Sequence, residues 1–174
     1  MTVPRPGPPS RNDIEAAIRD AFAGVRLGNG VSLSIAELID AWAAPAIIDR
    51  LFGTEPYEDW ASIPMAELDR AETIAHFDAE GLRYYLPALM LKLLDDYEPS
   101  EMWCIGTIGA LDQRRGHPLG FLDLLSTKQR RAIALYVKAL PDLVKLDRED
   151  AARVSRAFRD VWSRELEGPS SASG

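Results

Sequence analysis

Across residues 82–97 the apolar side chains Leu82, Tyr85, Leu86, Leu89, Met90, Leu93, Leu94 and Tyr97 recur at spacings of three and four. That period gathers them on one helical face, whereas a strand would scatter them to both sides of a sheet. Asp78 stands where the helix needs an N-cap acceptor. As the longest unbroken stripe in the chain, this helix is expected at the centre of the fold. Pro87 lies inside it and lacks the N–H of an interior position. Either the helix bends there, or residues 79–85 form a separate tight turn with Pro87 in the first turn of the true helix.

Similar reasoning extends the helical reading over most of the chain. Asn12 or Asp13 is the expected cap of a first helix, whose stripe is Ile14, Ala17, Ile18, Ala21, Phe22 and Val25. Gly28-Asn29-Gly30 breaks the chain, and Ser34 followed by Glu37 has capping-box spacing. The second helix then carries Ile35, Leu38, Ile39 and Trp42 on its inward stripe, until Pro45 kinks or splits it ahead of residues 46–52. Residues 54–77 are less regular, with a short helix expected over Met65 to Ile74. The run Trp103 to Gly109 is rich in strand-forming residues, yet Ser100-Glu101 offers a helix start. The helix reading is taken, with a small strand pair near 103–108 as the alternative.

Further on, Thr127 is the expected cap of a helix carrying Ile133, Val137 and Leu140 and stopped by Pro141. Asp147 caps the last helix, whose stripe is Ala151, Val154, Ala157, Phe158, Val161 and Trp162. The expected fold is an all-α, single-domain orthogonal bundle of about six or seven helices. It spans residues 12–167, between Pro/Ser/Gly-biased tails at 1–11 and 168–174 that cannot bury side chains.

Composition narrows the functional classes. A chain of 174 residues, 47% hydrophobic, suits one core. Twenty Lys and Arg against twenty-seven Asp and Glu give a formal charge of −7, which repels phosphate backbones and favours a basic partner. Nucleic-acid binding is disfavoured on that ground. A single cysteine, Cys104, forms no internal disulfide and no structural zinc site, so a cytoplasmic protein is expected. Met1 to Arg11 holds four prolines and no signal-peptide core, and no run reaches the roughly 18 residues of a membrane span.

Motifs with a chemical mechanism are not recognised. His76 and His117 lack metal-ligand spacing, and each reads as a loop or capping residue. Cys104, between Trp103 and Ile105, reads as an inert core thiol. Gly28-Asn29-Gly30 is a turn and no phosphate loop. Asp95 and Asp96 point about 100° apart on a helix and do not converge on one atom. Arg148, Arg153, Arg156, Arg159 and Arg164 share the outer face of the last helix, where Glu149 and Asp160 can satisfy them at i,i+4 spacing. No catalytic, cofactor-binding or metal-binding residue is assigned. What is left is a candidate binding surface: Arg83 and Tyr84 off the main stripe of the central helix, Trp60 as an amphipathic anchor if exposed, and the basic loop residues Arg114, Arg115 and His117.

The strings Trp60-Ala-Ser-Ile63-Pro64, Asp78-Ala-Glu-Gly81-Leu-Arg83-Tyr84-Tyr85-Leu86-Pro87-Ala88 and Leu125-Ser-Thr-Lys-Gln129 together resemble an uncharacterised family of small bacterial proteins. The resemblance covers roughly residues 12–141 and implies a domain of unknown function, with no catalytic residue to carry over. The functional expectation therefore rests on the residues themselves. It is a non-catalytic acidic module that binds a protein partner, as immunity or antitoxin proteins do. The alternative is a small-ligand protein or enzyme with a cleft near Arg83, Tyr84 and Trp60.

Overall fold

A computed structural model describes residues 8–114 and 117–167, and among these the protein is all-helical with no strand. Residues 1–7 and 168–174 of the expected tails lie outside the described residues. Eight α-helices follow in order: α1 (Arg11–Ala21), α2 (Leu33–Asp40), α3 (Pro45–Ile48), α4 (Ala79–Asp95), α5 (Met102–Leu111), α6 (Phe121–Leu124), α7 (Thr127–Leu143) and α8 (Arg148–Ala157). Short 3-10 turns link them at Asp49–Leu51 and Trp60–Ser62, and a longer 3-10 segment runs over Met65–His76.

Thirteen of the seventeen residues of α4 are buried, so this helix is central, as expected, and enclosed well beyond the one face that its stripe marks. It is continuous through Pro87, which forgoes only the bond to the Arg83 carbonyl. The Asp78 carboxylate accepts from the Gly81 amide at 2.8 Å and from the Val31 amide at 2.9 Å, so one side chain caps α4 and ties down the loop before α2. Gly81 permits that closeness: a Cβ there would sit 2.5 Å from the Val31 carbonyl oxygen. Lys92 reaches out of the core to Asp69 and Asp96 at 2.9 and 2.8 Å, its ammonium 4.5 Å from the centre of the Trp103 ring. Burial alone would lower its pKa, but the two carboxylates outweigh burial and raise it.

Several boundaries differ from expectation for identifiable reasons. The cap of α1 is Ser10, two or three residues earlier than expected, because Ser10 and Asp13 form a reciprocal capping box. Ser32 rather than Ser34 caps α2, and Glu37 turns away from the helix start to bind Arg70. Likewise Ser126, paired with Gln129, caps α7 in place of Thr127. Pro141 does not stop α7; it falls in the last turn, where one lost hydrogen bond costs little and Leu140 stays in the core.

Residues 103–108 belong to α5, and no strand pair forms there. Gly106 lets Ile74 approach that helix, since a Cβ would meet Ile74 Cγ2 at 2.0 Å, and Thr107 donates to the Trp103 carbonyl at 2.6 Å. The 65–76 segment packs against α5, α2 and α4, while α7 packs on α1 and α8. Beyond α8 the chain widens into a π turn at Phe158–Trp162, and the Trp162 indole donates to the Leu111 carbonyl at 2.7 Å. No helix among the described residues is long and apolar enough to cross a membrane.

Candidate functional site

The motif residues of α4 are largely committed to the scaffold. Tyr84 is fully buried, and its hydroxyl donates to the Tyr57 carbonyl at 2.6 Å. Tyr85 beside it donates to the Glu55 carboxylate and accepts from the Leu33 amide at 3.3 Å. Burial first, then the Glu55 charge at Tyr84 and the hydrogen bond to Glu55 at Tyr85, push both phenol pKa values well up, so both remain neutral donors. Trp60 is buried too, its indole donating to the Phe22 carbonyl at 2.9 Å. Trp60 lines a cavity of about 160 Å³ with Arg19, Met65 and Leu91, to which neither Arg83 nor Tyr84 contributes. Arg83 is half-buried; one terminal nitrogen lies 3.5 Å from the Leu124 carbonyl and its Nε is buried without a hydrogen-bond partner.

The basic loop does not join this group. Arg114 is exposed, 3.7 Å from Asp160, and with Asp160, Val161 and Arg164 lines a cavity of about 250 Å³. His117 is exposed and its Nδ1 accepts from the Leu119 amide at 3.2 Å; Arg115 lies outside the described residues. His117 also edges a separate cavity of about 280 Å³, lined by Ile74, Phe77 and Gln113, in which the Gln113 side-chain oxygen is buried without a partner.

The remaining polar candidates are paired. His76 lies 3.1 Å from Asp40. Arg153 and Arg156 turn to Asp112 at 3.5 and 3.3 Å, instead of to acids one turn away, because the end of α5 lies beside α8. Asp95 pairs with Arg11, and Asp96 with Lys92. Cys104 is buried and its thiol is pushed up to about 11 by desolvation, which leaves it protonated at neutral pH. Among the described residues no group of three or more His, Cys, Asp and Glu could hold a metal ion.

The feature that sequence periodicity misplaces is Trp42. It was expected on the inward stripe of α2, but it is 93% exposed. The helix ends at Asp40, two residues before it, in a Schellman turn: the Ala43 amide donates to the Leu38 carbonyl at 2.9 Å and the Trp42 amide to the Ile39 carbonyl at 3.1 Å. That motif requires a left-handed residue after the C-cap, normally glycine, and Trp42 occupies it with φ of 56°. It is the one non-glycine residue with positive φ among the described residues. An indole can bury about 150–250 Å², worth about 4–6 kcal/mol at 25 cal/mol/Å², and here it stays in solvent.

From Trp42 the chain forms a surface arm, held to the core by the half-buried Ile48 and Leu51. None of the residues of α3 or of the following 3-10 turn is buried, and Ile47 and Phe52 are exposed. The arm returns at Glu55 and Tyr57, the two points held by the Tyr85 and Tyr84 hydroxyls. The motif of the central helix therefore anchors the base of the arm.

Charge singles out the same region. Between Arg26 and Arg83 lie eleven Asp and Glu and only two arginines, Arg50 and Arg70, a net of −9 against the −7 of the whole chain. The rest of the chain is therefore close to neutral, at +2. Arg70 is consumed locally by Glu37 and Glu67 at 2.6 and 2.8 Å. Counting charge along the chain, rather than in total, is the signal that locates this region from sequence.

No curated protein matches the chain, and no solved structure does. A family model described as Family of unknown function (DUF6714) matches residues 10–166, from the cap of α1 past the end of α8. The chain belongs to that family.

Proposed function

We propose that the protein is a non-catalytic interaction module whose acidic region, residues 27–82, engages a basic protein. The observation that carries this reading is the segregation of charge: eleven carboxylates against two arginines in one stretch of a chain otherwise near neutrality. Such a field accelerates encounter with a positive surface and repels nucleic acid and anionic lipid. Several of these carboxylates remain largely in solvent even where they pair, as Asp40, Glu58 and Asp69 do. The buried, protonated thiol of Cys104 suits the reducing cytoplasm, which we take as the compartment.

Affinity capture of the tagged full chain from its own cells tests the reading. The expected outcome is a stoichiometric protein of basic pI whose association rate falls at least tenfold between 50 and about 300 mM salt. An acidic partner, or association indifferent to salt, contradicts it.

A further inference from the structure

Trp42 is kept where its backbone is strained and where its indole buries almost nothing, so the isolated fold gains nothing from having tryptophan there. Glycine would satisfy the Schellman turn better. Trp42, Ile47 and Phe52, three of the exposed large apolar side chains among the described residues, fall within one short stretch. Three of the four tryptophans are core, so exposure at position 42 is specific. Tryptophan is the residue type most enriched among interface anchors.

We propose that the arm at residues 41–53 is a docking element, with Trp42 as its anchor, for a protein surface that offers an apolar depression ringed by lysine and arginine. This deepens the acidic-module reading and rests on it. Charge complementarity identifies the occupant. The arm rises from the region of net −9, so a second copy would bring like charges together at the same face, and an anionic membrane or a nucleic acid would be repelled. A basic protein gains from the field and from the indole at once. Within the arm Asp49 and Arg50 cancel, so the negative charge comes from the acidic stretches before and after it.

The full chain is panned against a library of randomised surfaces displayed on a small folded scaffold, and the enriched binders are measured with three forms of the protein. These are the wild type, Trp42→Gly, and a variant with Asp40, Asp49, Glu58 and Glu72 changed to Asn or Gln. Enriched binders should combine Lys and Arg with aromatic or aliphatic residues, and Trp42→Gly should weaken them at least tenfold with an unchanged circular-dichroism spectrum. Binding should also shift the wild-type tryptophan emission to the blue. If the carboxylate variant weakens binding and Trp42→Gly does not, the arm proposal fails while the acidic-module reading stands. If neither variant matters, both fail, and if Trp42→Gly alone matters, the basic class of partner is wrong. Absence of enriched binders overturns the proposal. So does a wild-type dimer in sedimentation equilibrium that Trp42→Gly dissolves, or an equal blue shift with zwitterionic phosphatidylcholine vesicles.

Discussion

A side chain in the left-handed region costs about 1–2 kcal/mol relative to glycine, and Trp42 recovers almost none of that by burial. Trp42→Gly should therefore hold or raise stability, by up to about 1 kcal/mol once the extra chain entropy of glycine is counted. Urea denaturation checks this, and a loss above about 1 kcal/mol would mean that the indole packs in solution. Gly81→Ala should act oppositely. Its Cβ would lie 2.5 Å from the backbone oxygen of Val31, so about 2 kcal/mol is lost as the loop and α4 move apart. The role of Gly81 was illegible in sequence because it depends on a contact fifty residues away. Trp42 was misread for a local reason: the period of Ile35, Leu38 and Ile39 continues into it, and only the Schellman turn takes it off the stripe.

At the level of elements, the stripes of α1, α4 and α8 were legible because a 3.6-residue period marks each, and Asp78 and Asp147 also mark the starts of α4 and α8. The 65–76 segment was less so: its 3-10 turns are broken at Ala71 and Thr73, and its position comes from α5 and α2. Arg70 bonds it to α2 through Glu37. The Arg70 hydrogen bond holds the Glu37 carboxyl below its ordinary value of 4.5. With the folded value below the unfolded one, this link contributes fully above 4.5 and is lost as pH falls through the lowered folded value. Acid titration of stability should consequently be flatter below 4.5 in Glu37→Gln than in wild type. Tyr85→Phe should release the base of the arm, because it strands the Leu33 amide and frees Glu55. A cost of about 1–2 kcal/mol is expected, with faster amide exchange over residues 41–57.

For the molecule as a whole, an enclosed helix carries a motif that secures an exposed arm, strained at Trp42 and set within an acidic stretch of the chain. The all-helical class was legible from periodicity, but the arm was not, since total charge and a stripe count both hide it. Charge counted between Arg26 and Arg83 reveals the acidic region, and the structure adds that Trp42 stands within it. Collisional quenching of tryptophan fluorescence tests that combination most directly. Acrylamide should reach one of four tryptophans, that fraction should vanish in Trp42→Phe, and caesium should quench it more steeply than iodide at low salt, each relative to free N-acetyltryptophanamide, because the local field is negative. A quenchable fraction that survives in Trp42→Phe, or relative iodide quenching as strong as that of caesium, would contradict the account.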